Sequence, residues 1–264
     1  MAATASPTRP ERLLIGCPPD EEHTLGPLLL SLLLRRQGRE VIYLGANVPL
    51  ARLETTVAAI KPQLIILSAQ RLPTAATLQK MAFLVEHQTV SLAFGGQIFN
   101  DLPGLRQRIP GHFLGKNLNE APQVIEQLLL STDISTPTIT PISETYQQAL
   151  AHYSNLQTSI EALVWETLQD SGIFEHHLSV AGYNFSLNIV PALTLGDMDF
   201  LRNEVAWATH LLVNHQLPPS LLCIYFEAYL KATEEKLDER GAPVIAWLAQ
   251  VVSNCDQMVL EAAQ

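Results

Sequence analysis

The chain has 264 residues, of which 47% are hydrophobic and only 16% are charged, and its formal net charge is −10. This length and composition suffice for one or two domains with buried cores, and the lack of a basic stripe argues against direct nucleic-acid binding. The longest apolar stretch, residues 25–34, is too short to cross a bilayer, so no membrane partner is expected.

The first half of the chain alternates strand and helix patterns. Short apolar runs predict strands at 12–17, 40–45, 63–68, 90–94 and 112–115. Patterns between and after these runs predict helices at 22–37, 50–60, 74–87, 102–108 and 119–130. Five such units in alternation predict an α/β fold, namely a flavodoxin-like doubly wound parallel sheet.

Chemically distinctive residues follow three of these predicted strands. His23 stands in the segment 21–26, directly after the first strand, Ser68 closes the third strand, and Gly95-Gly96 follow the fourth. Open α/β sheets bind ligands at the carboxyl ends of their strands. We therefore expect these residues to form one ligand site.

This spaced set resembles the signature of the cobalamin-binding domain family, which reads Asp/Glu-x-His-x-x-Gly, then Ser-x-Leu, then Gly-Gly. The resemblance covers roughly residues 11–131 and implies cobalamin as cofactor, with His23 as the lower ligand of the cobalt and Glu21 as its acidic partner. It also implies a cleft for the nucleotide tail, in which Gln70 replaces the usual leucine or other small or apolar residue. The cofactor-binding residues implied in this half are Glu21, Glu22, His23, Thr24, Gly26, Ser68, Gln70, Gly95 and Gly96.

The residue chemistry points the same way without the resemblance. A neutral imidazole that binds a metal needs an acceptor on its other ring nitrogen, and Glu21 or Asp20 can supply one. Glycines let the backbone approach a ligand closely. The alternative is a loop histidine on a flavodoxin-like fold whose glycines serve only turns.

The second half of the chain shows helix patterns only. Residues 132–142 are rich in proline and β-branched residues and predict an extended linker between a domain at 11–131 and an all-helical domain at 143–264. Helices are predicted at about 143–168, 197–215, 218–239 and 243–262. The piece at 173–195 is shorter and less regular.

A tryptophan motif in the helical half bears on the upper face of the cofactor. Trp165, nine residues and then Glu175-His176 resemble the Trp-x9-Glu-His cap over the adenosyl face in cobalamin photoreceptors. Two departures stand against the match: the helices follow the cobalamin domain instead of preceding it, and Glu166 stands where the family has a histidine. The alternative is a packed tryptophan and a surface histidine.

A wider set of aromatic and histidine side chains could line a second, tetrapyrrole pocket in the bundle. The order of the two domains resembles the photocobilins, which implies a bilin, most plausibly biliverdin, beside cobalamin. The simpler interpretation is that these are core aromatics and surface histidines, with Cys223 as a buried thiol instead of a thioether to the bilin. The set comprises His177, Tyr183, Trp207, His210, His215, Cys223, Tyr225 and Tyr229.

The cysteines bear on the cellular compartment. Cys17, Cys223 and Cys255 are odd in number and dispersed, which argues against a disulfide framework and for a reducing compartment. The first ten residues lack the apolar core of a signal peptide. We therefore expect a cytoplasmic protein.

Three functions remain open from the sequence. The first is a sensor that holds adenosylcobalamin and a second chromophore, and that signals through a light-dependent homo-oligomer or a separate effector protein. The others are a corrinoid carrier for methyl transfer and a subunit of an adenosylcobalamin mutase, but the substrate barrel that a mutase needs is absent from this sequence. No catalytic constellation occurs, so we do not expect an enzyme.

Overall fold

A computed structural model describes residues 6–86, 90–131, 136–169 and 175–255. In the last of these ranges, side chains are described only from residue 185 onward. The chain divides into two compact units, Met1–Pro141 and Ile142–Gln264. Thr140 and Pro141, at the end of the predicted linker, are bonded to the first unit through Gln107 and Arg108. Within these described ranges, no helix is both long and apolar enough to span a membrane.

The first unit is a five-stranded sheet with the strand order β2-β1-β3-β4-β5, in which every pair is parallel. The predicted doubly wound parallel sheet is therefore confirmed. Since the chain moves to β2 on one side of β1 and to β3 on the other, the loops after β1 and β3 lie side by side at a switch point. The elements are β1 (Arg12–Gly16), α1 (Leu25–Arg36), β2 (Glu40–Gly45), α2 (Leu50–Ile60), β3 (Leu64–Ser68), α3 (Leu72–Glu86), β4 (Ser91–Gly95), α4 (Ile98–Asp101), β5 (His112–Phe113) and α5 (Ala121–Leu130).

Two predicted elements of this unit differ from the structure. The helix expected at 102–108 is a 3-10 helix, Pro103–Arg108, whose second residue, Gly104, has a low α-helix propensity. The first helix begins at Leu25 instead of residue 22, since the preceding residues form the loop that carries His23.

An apolar core joins α1 and α5 to one face of the sheet. Strand residues such as Leu13 and Ile66 are almost fully buried, as expected for parallel strands covered on both faces. The core members are Leu13, Ile15, Leu30, Leu34, Val41, Leu64, Ile66, Ala93, Leu114, Ala121 and Ile125. This core fixes the strand ends, and therefore the loops that extend from them.

The second unit is a helical bundle, as predicted. Its helices are α6 (Glu144–Gln169), α7 (Glu175–Leu195), α8 (Arg202–Asn214), α9 (Ser220–Lys236) and α10 (Ala242–Ser253). The prediction of a short, irregular piece at 173–195 is wrong, because α7 is 21 residues long. Nearly all described side chains of α7 are buried, and a helix buried on several sides lacks a one-sided apolar pattern.

The cysteine prediction is also corrected. Cys223 of α9 and Cys255 form a disulfide, whereas Cys17 is free and buried. Two dispersed cysteines thus meet through the packing of α9 on α10, which sequence spacing does not reveal. The disulfide removes the cysteine argument for a reducing compartment and occupies the sulfur that a bilin thioether would need.

Candidate functional site

The loop after β1 is held by the neighbouring loops at the same edge of the sheet. The amide of Cys17 donates to Gly45, and that of Val48 donates back to Cys17, at 3.0 and 2.9 Å. The side-chain oxygen of Asn47 accepts from the Asp20 amide at 2.6 Å, and the guanidinium of Arg71 donates to the Asp20 carbonyl. Asp20 has a φ of 63°, so the chain turns sharply just before the histidine.

His23 and Glu21 form a tight pair at the end of this loop. The Nδ1 atom of His23 lies 2.6 Å from Oε1 of Glu21, and the His23 amide donates to the same oxygen at 3.1 Å. The imidazole is 61% exposed, whereas the carboxylate is fully buried. A histidine held at Nδ1 by a carboxylate presents the lone pair of its Nε2 outward, which is the arrangement of a metal ligand.

The surroundings of Glu21 favour its ionised form. Burial alone would raise its pKa, but hydrogen bonds from Thr74, from the Gln70 amide and from His23 outweigh burial and lower the pKa. The Thr74 hydroxyl and the Gln70 amide donate to Oε2 at 2.6 and 2.7 Å. Glu21 is therefore an anion that keeps the proton of its partner imidazole on Nδ1.

Cys17 does not compete with His23 as a metal ligand. Its thiol is fully buried. Burial, helped by the negative charge of Glu21, raises the pKa of Cys17 to about 12, so the thiol stays protonated at neutral pH.

Gln70 connects the His23 loop to the ends of β3 and β4. Its backbone amide binds Glu21, its Nε2 donates to the Ser68 hydroxyl at 3.1 Å, and its Oε1 accepts from the Gln97 amide at 2.9 Å. The position where the family usually has an apolar residue thus carries a polar bridge. Through its backbone amide and its side chain together, Gln70 joins the ends of β1, β3 and β4.

A cleft of about 180 Å³ opens between the ends of the strands and α1. Gly26 and Gly95 have open space where a side chain would stand, so backbone is available to a ligand there. Gly96, with a φ of 125°, could not be replaced easily, because an added Cβ would lie 1.8 Å from the Ala69 carbonyl oxygen. The cleft is lined by Gly26, Pro27, Leu30, Ile66, Leu67, Ser68, Gln70, Gly95, Gly96, Gln97, Asn100, Leu114, Gly115, Lys116, Asn117, Leu118 and Ala121.

The structure therefore brings five of the predicted cofactor-binding residues into one cleft: Gly26, Ser68, Gln70, Gly95 and Gly96. Of the remaining loop residues, Glu22 is exposed and accepts a bond from Asn47 at 2.5 Å, and the Thr24 carbonyl accepts from Tyr43. Cobalt ligation by His23 stays a prediction.

Several polar residues of the cleft escaped the sequence analysis. Asn100, Lys116 and Asn117 line it, and the Asn100 side chain donates to the Lys116 carbonyl at 3.0 Å. The segment 115–117 follows β5, a strand of only two residues. The rule that ligands bind at carboxyl strand ends could have identified it.

The predicted second pocket does not form as expected in the described part of the helical unit. Trp207 and His210 are exposed on α8, instead of facing inward. Tyr225 and Tyr229 pack around Phe185 with ring centroids 6.1 and 5.6 Å away, in a filled aromatic core.

The cap motif is only partly within the described residues. Trp165 is half-buried on α6. The side chains of Glu175, His176, His177 and Tyr183 lie outside the described residues, so their predicted roles stay predictions. In the described part of the chain, no group of three or more His, Cys, Asp and Glu residues could hold a metal ion.

Part of the first unit is similar to a known protein family. Residues 11–124 match the model of the B12 binding domain. The HTH-type transcriptional repressor CarA of Myxococcus xanthus is 36% identical over 70 residues, which are 26% of this chain and 24% of the repressor. The chain thus spans about a quarter of the length of this curated relative.

Two solved structures are similar to parts of the chain. A novel cobalamin-binding protein from Desulfitobacterium hafniense DCB-2 matches with a TM-score of 0.42 and 16% identity over 44% of this chain and 58% of that one. The methanol:cobalamin methyltransferase complex MtaBC from Methanosarcina barkeri matches with a TM-score of 0.43 and 21% identity over 50% of this chain and 52% of that one. Each match spans little more than half of the solved chain.

Proposed function

We propose, from the match of residues 11–124 to the B12 binding domain, a cobalamin-binding sensory protein in which His23 would bind the cobalt. The observation that carries this proposal is the His23–Glu21 pair, an exposed imidazole whose Nδ1 is held 2.6 Å from a buried carboxylate. A corrin already surrounds its metal with four nitrogens, so the protein needs to supply only one such ligand.

The cleft fits the remaining part of the cofactor. When the histidine replaces the cofactor's own base, the nucleotide tail needs a narrow polar-and-apolar groove. Gly26 and Gly95 leave space for it, and Ser68, Gln97 and Asn117 give the cleft polar walls, where a tail would compete with Gln70 for the Ser68 hydroxyl and the Gln97 amide. These residues, with His23, are the ones that would hold cobalamin.

The sensory part of the proposal concerns adenosylcobalamin. When bound, this form supplies a cobalt–carbon bond that light can break. The helical unit, with Trp165 as the predicted cap, would shield that face in the dark, and the signal would pass to a homo-oligomer or to a separate effector protein in the cytoplasm. The similarity of 70 residues to a transcriptional repressor supports a regulatory role over a carrier role.

A bilin as second chromophore is the less supported part of the proposal. The described aromatic side chains around Phe185 are packed against each other, and Cys223 is in a disulfide. A bilin would therefore bind without a thioether, at residues such as His177 or on the exposed face with Trp207. Co-expression with a biliverdin source tests this directly. If the purified protein has no long-wavelength absorption band, bilin binding is excluded.

The test of the central proposal is spectroscopic. Full-length protein loaded with adenosylcobalamin should show the spectrum of histidine-ligated cobalamin, and illumination should convert it. His23→Ala should give a base-off spectrum or weaker binding, because the only imidazole at the loop is removed. An unchanged spectrum and affinity in this variant would refute the assignment of His23. Binding without any response to light would instead favour the methyl carrier.

A further inference from the structure

Helix α1 has two apolar faces, of which only one is used by the first unit. Pro27, Leu30, Ser31 and Leu34 are buried, and Leu30 and Leu34 belong to the core that α1 shares with the sheet and α5. On the other face, five leucines are between 39% and 69% exposed: Leu25, Leu28, Leu29, Leu32 and Leu33. Their spacing of three and four residues makes them one continuous stripe along the helix, which we term the leucine face.

The leucine face is a large apolar surface for a soluble protein. The exposed parts of the five side chains amount to about 400 Å² of contiguous apolar area, which is the size of the largest apolar patch on a typical soluble protein, and such a patch is often functional. Two such faces brought together would bury about 800 Å² from leucine alone, against about 1,200 Å² in total for a small stable interface. The flanking residues need to supply only the remaining third.

We propose that the leucine face is a homodimer interface, in which α1 packs antiparallel against α1 of a second copy. A face that carries only leucine meets no like charge when it faces itself. Helical periodicity places Arg36 at the carboxyl end of the same stripe, and the exposed Glu22 precedes its amino end. Antiparallel pairing sets Arg36 of each copy beside Glu22 of the other, whereas parallel pairing would set arginine against arginine.

A two-fold axis perpendicular to the helices produces this arrangement and closes the assembly at two copies. The axis passes near Leu29, the midpoint of the residues 25–33 that form the stripe. The interface is built from the protein alone and does not depend on the proposed cobalamin function.

Sedimentation velocity on the full chain without cobalamin tests the interface. The wild type should be a dimer at micromolar concentration, and the double variant L29E/L32E should be a monomer with an unchanged circular dichroism spectrum and unchanged cobalamin affinity. The matched control is Leu130→Glu on α5, which places the same charge at a leucine that is 73% exposed outside the stripe, and it should remain a dimer. A monomeric wild type, including one whose own helical unit covers α1, would overturn the proposal, as would a dimer that survives L29E/L32E.

Two further variants test the antiparallel geometry. Leu29→Cys should form an intermolecular disulfide on mild oxidation, because two copies of residue 29 meet at the axis, whereas Leu25→Cys should not. Arg36→Glu should weaken the dimer at least several-fold, and E22R/R36E should restore much of the loss. A dimer that crosslinks through residue 25 instead of residue 29 would contradict this pairing. Failure of cobalamin binding would refute the proposed function and leave these results untouched.

Discussion

Glu21 is the residue on which the proposed ligand depends. Its carboxylate is buried and accepts bonds from His23, Thr74 and Gln70. In Glu21→Gln, the amide group keeps one acceptor and places a donor against existing donors, so the imidazole loses its fixed orientation. We expect cobalamin affinity to fall on the order of ten-fold, measured by spectroscopic titration. A variant that binds as tightly as the wild type would show that the pair does not support ligation.

The same pair also predicts the acid stability of the first unit. Because hydrogen bonds lower the pKa of Glu21 in the folded protein, its stabilising effect is present above the ordinary value of 4.5 and is lost as pH falls through the lower folded value. Glu21→Gln removes this titration. The variant should therefore lose less stability than the wild type between about pH 5 and strongly acidic pH, because this range runs from the ordinary value down through the lower folded pKa. Urea unfolding monitored by circular dichroism at each pH measures the difference.

Gln70 predicts how the cleft distinguishes ligands with and without a tail. Its side chain is hydrogen-bonded to the Ser68 hydroxyl and to the Gln97 amide. A nucleotide tail that binds these two groups must therefore displace the Gln70 side chain. Gln70→Leu frees both groups but keeps the backbone bond to Glu21. Since one such bond is worth about 1 kcal/mol, cobalamin affinity should rise several-fold. Cobinamide, which lacks the tail, is the control and should bind unchanged; an equal gain for both ligands would place the effect of Gln70 outside the tail cleft.

At this scale, the sequence reveals some positions of the site and hides others. His23, Ser68 and Gly96 each stand at the end of an apolar run, so a single chain segment indicates each of them. Gln70 could be noticed only as a departure from a pattern, because two of its partners, Glu21 and Gln97, come from other loops. Asn117 follows a strand of two residues, which is too short to give a clear period.

At the scale of elements, the bundle depends on a buried aromatic cluster. The hydroxyls of Tyr153 and Tyr229 lie 2.6 Å apart between α6 and α9, and Tyr225 stands one turn away. Burial raises the pKa of all three tyrosines above the ordinary value of 10. Their stabilising effect is therefore complete below pH 10 and is lost as pH rises above it.

We accordingly expect the helical unit to unfold cooperatively above pH 10, with each tyrosine contributing up to about 1.4 kcal/mol per pH unit. Absorbance of the phenolate and near-ultraviolet circular dichroism should change together in one step. Tyr153→Phe should make this step shallower in pH, although it also loses one hydroxyl bond. Phenolate formation without loss of the dichroism signal would show that the cluster opens without unfolding.

The elements that sequence periodicity predicts are those with one buried face. Helix α1 was predicted from its leucines, but the pattern could not indicate that two different faces carry them. Helix α7 was missed because its described residues are buried nearly all round and Pro191 lies within it. The disulfide between Cys223 and Cys255 depends on how α9 meets α10, and no local pattern encodes that meeting.

At the scale of the whole molecule, two compact units of similar length are joined near residue 141. A sensor needs two states whose contacts differ, and a ligand shifts their balance only by its different affinity for each. In the proposed sensor, light removes the adenosyl group, and a signal then requires that the free energy of the contacts between units or between copies changes. A change of about 1.4 kcal/mol would alter a dimer dissociation constant ten-fold.

A change of about ten-fold in the dimer dissociation constant is large enough to detect by sedimentation. Full-length protein with adenosylcobalamin, studied near its dissociation constant, should sediment differently in the dark and after illumination. Cyanocobalamin, which lacks the adenosyl group, and the His23→Ala variant are the controls, and neither should respond to light. Trp165→Ala should reduce the difference if the tryptophan covers the adenosyl face. Identical sedimentation and small-angle scattering in both states would exclude signalling through assembly or domain contact. A change in assembly alters the sedimentation coefficient, and a change in domain contact alters the scattering curve.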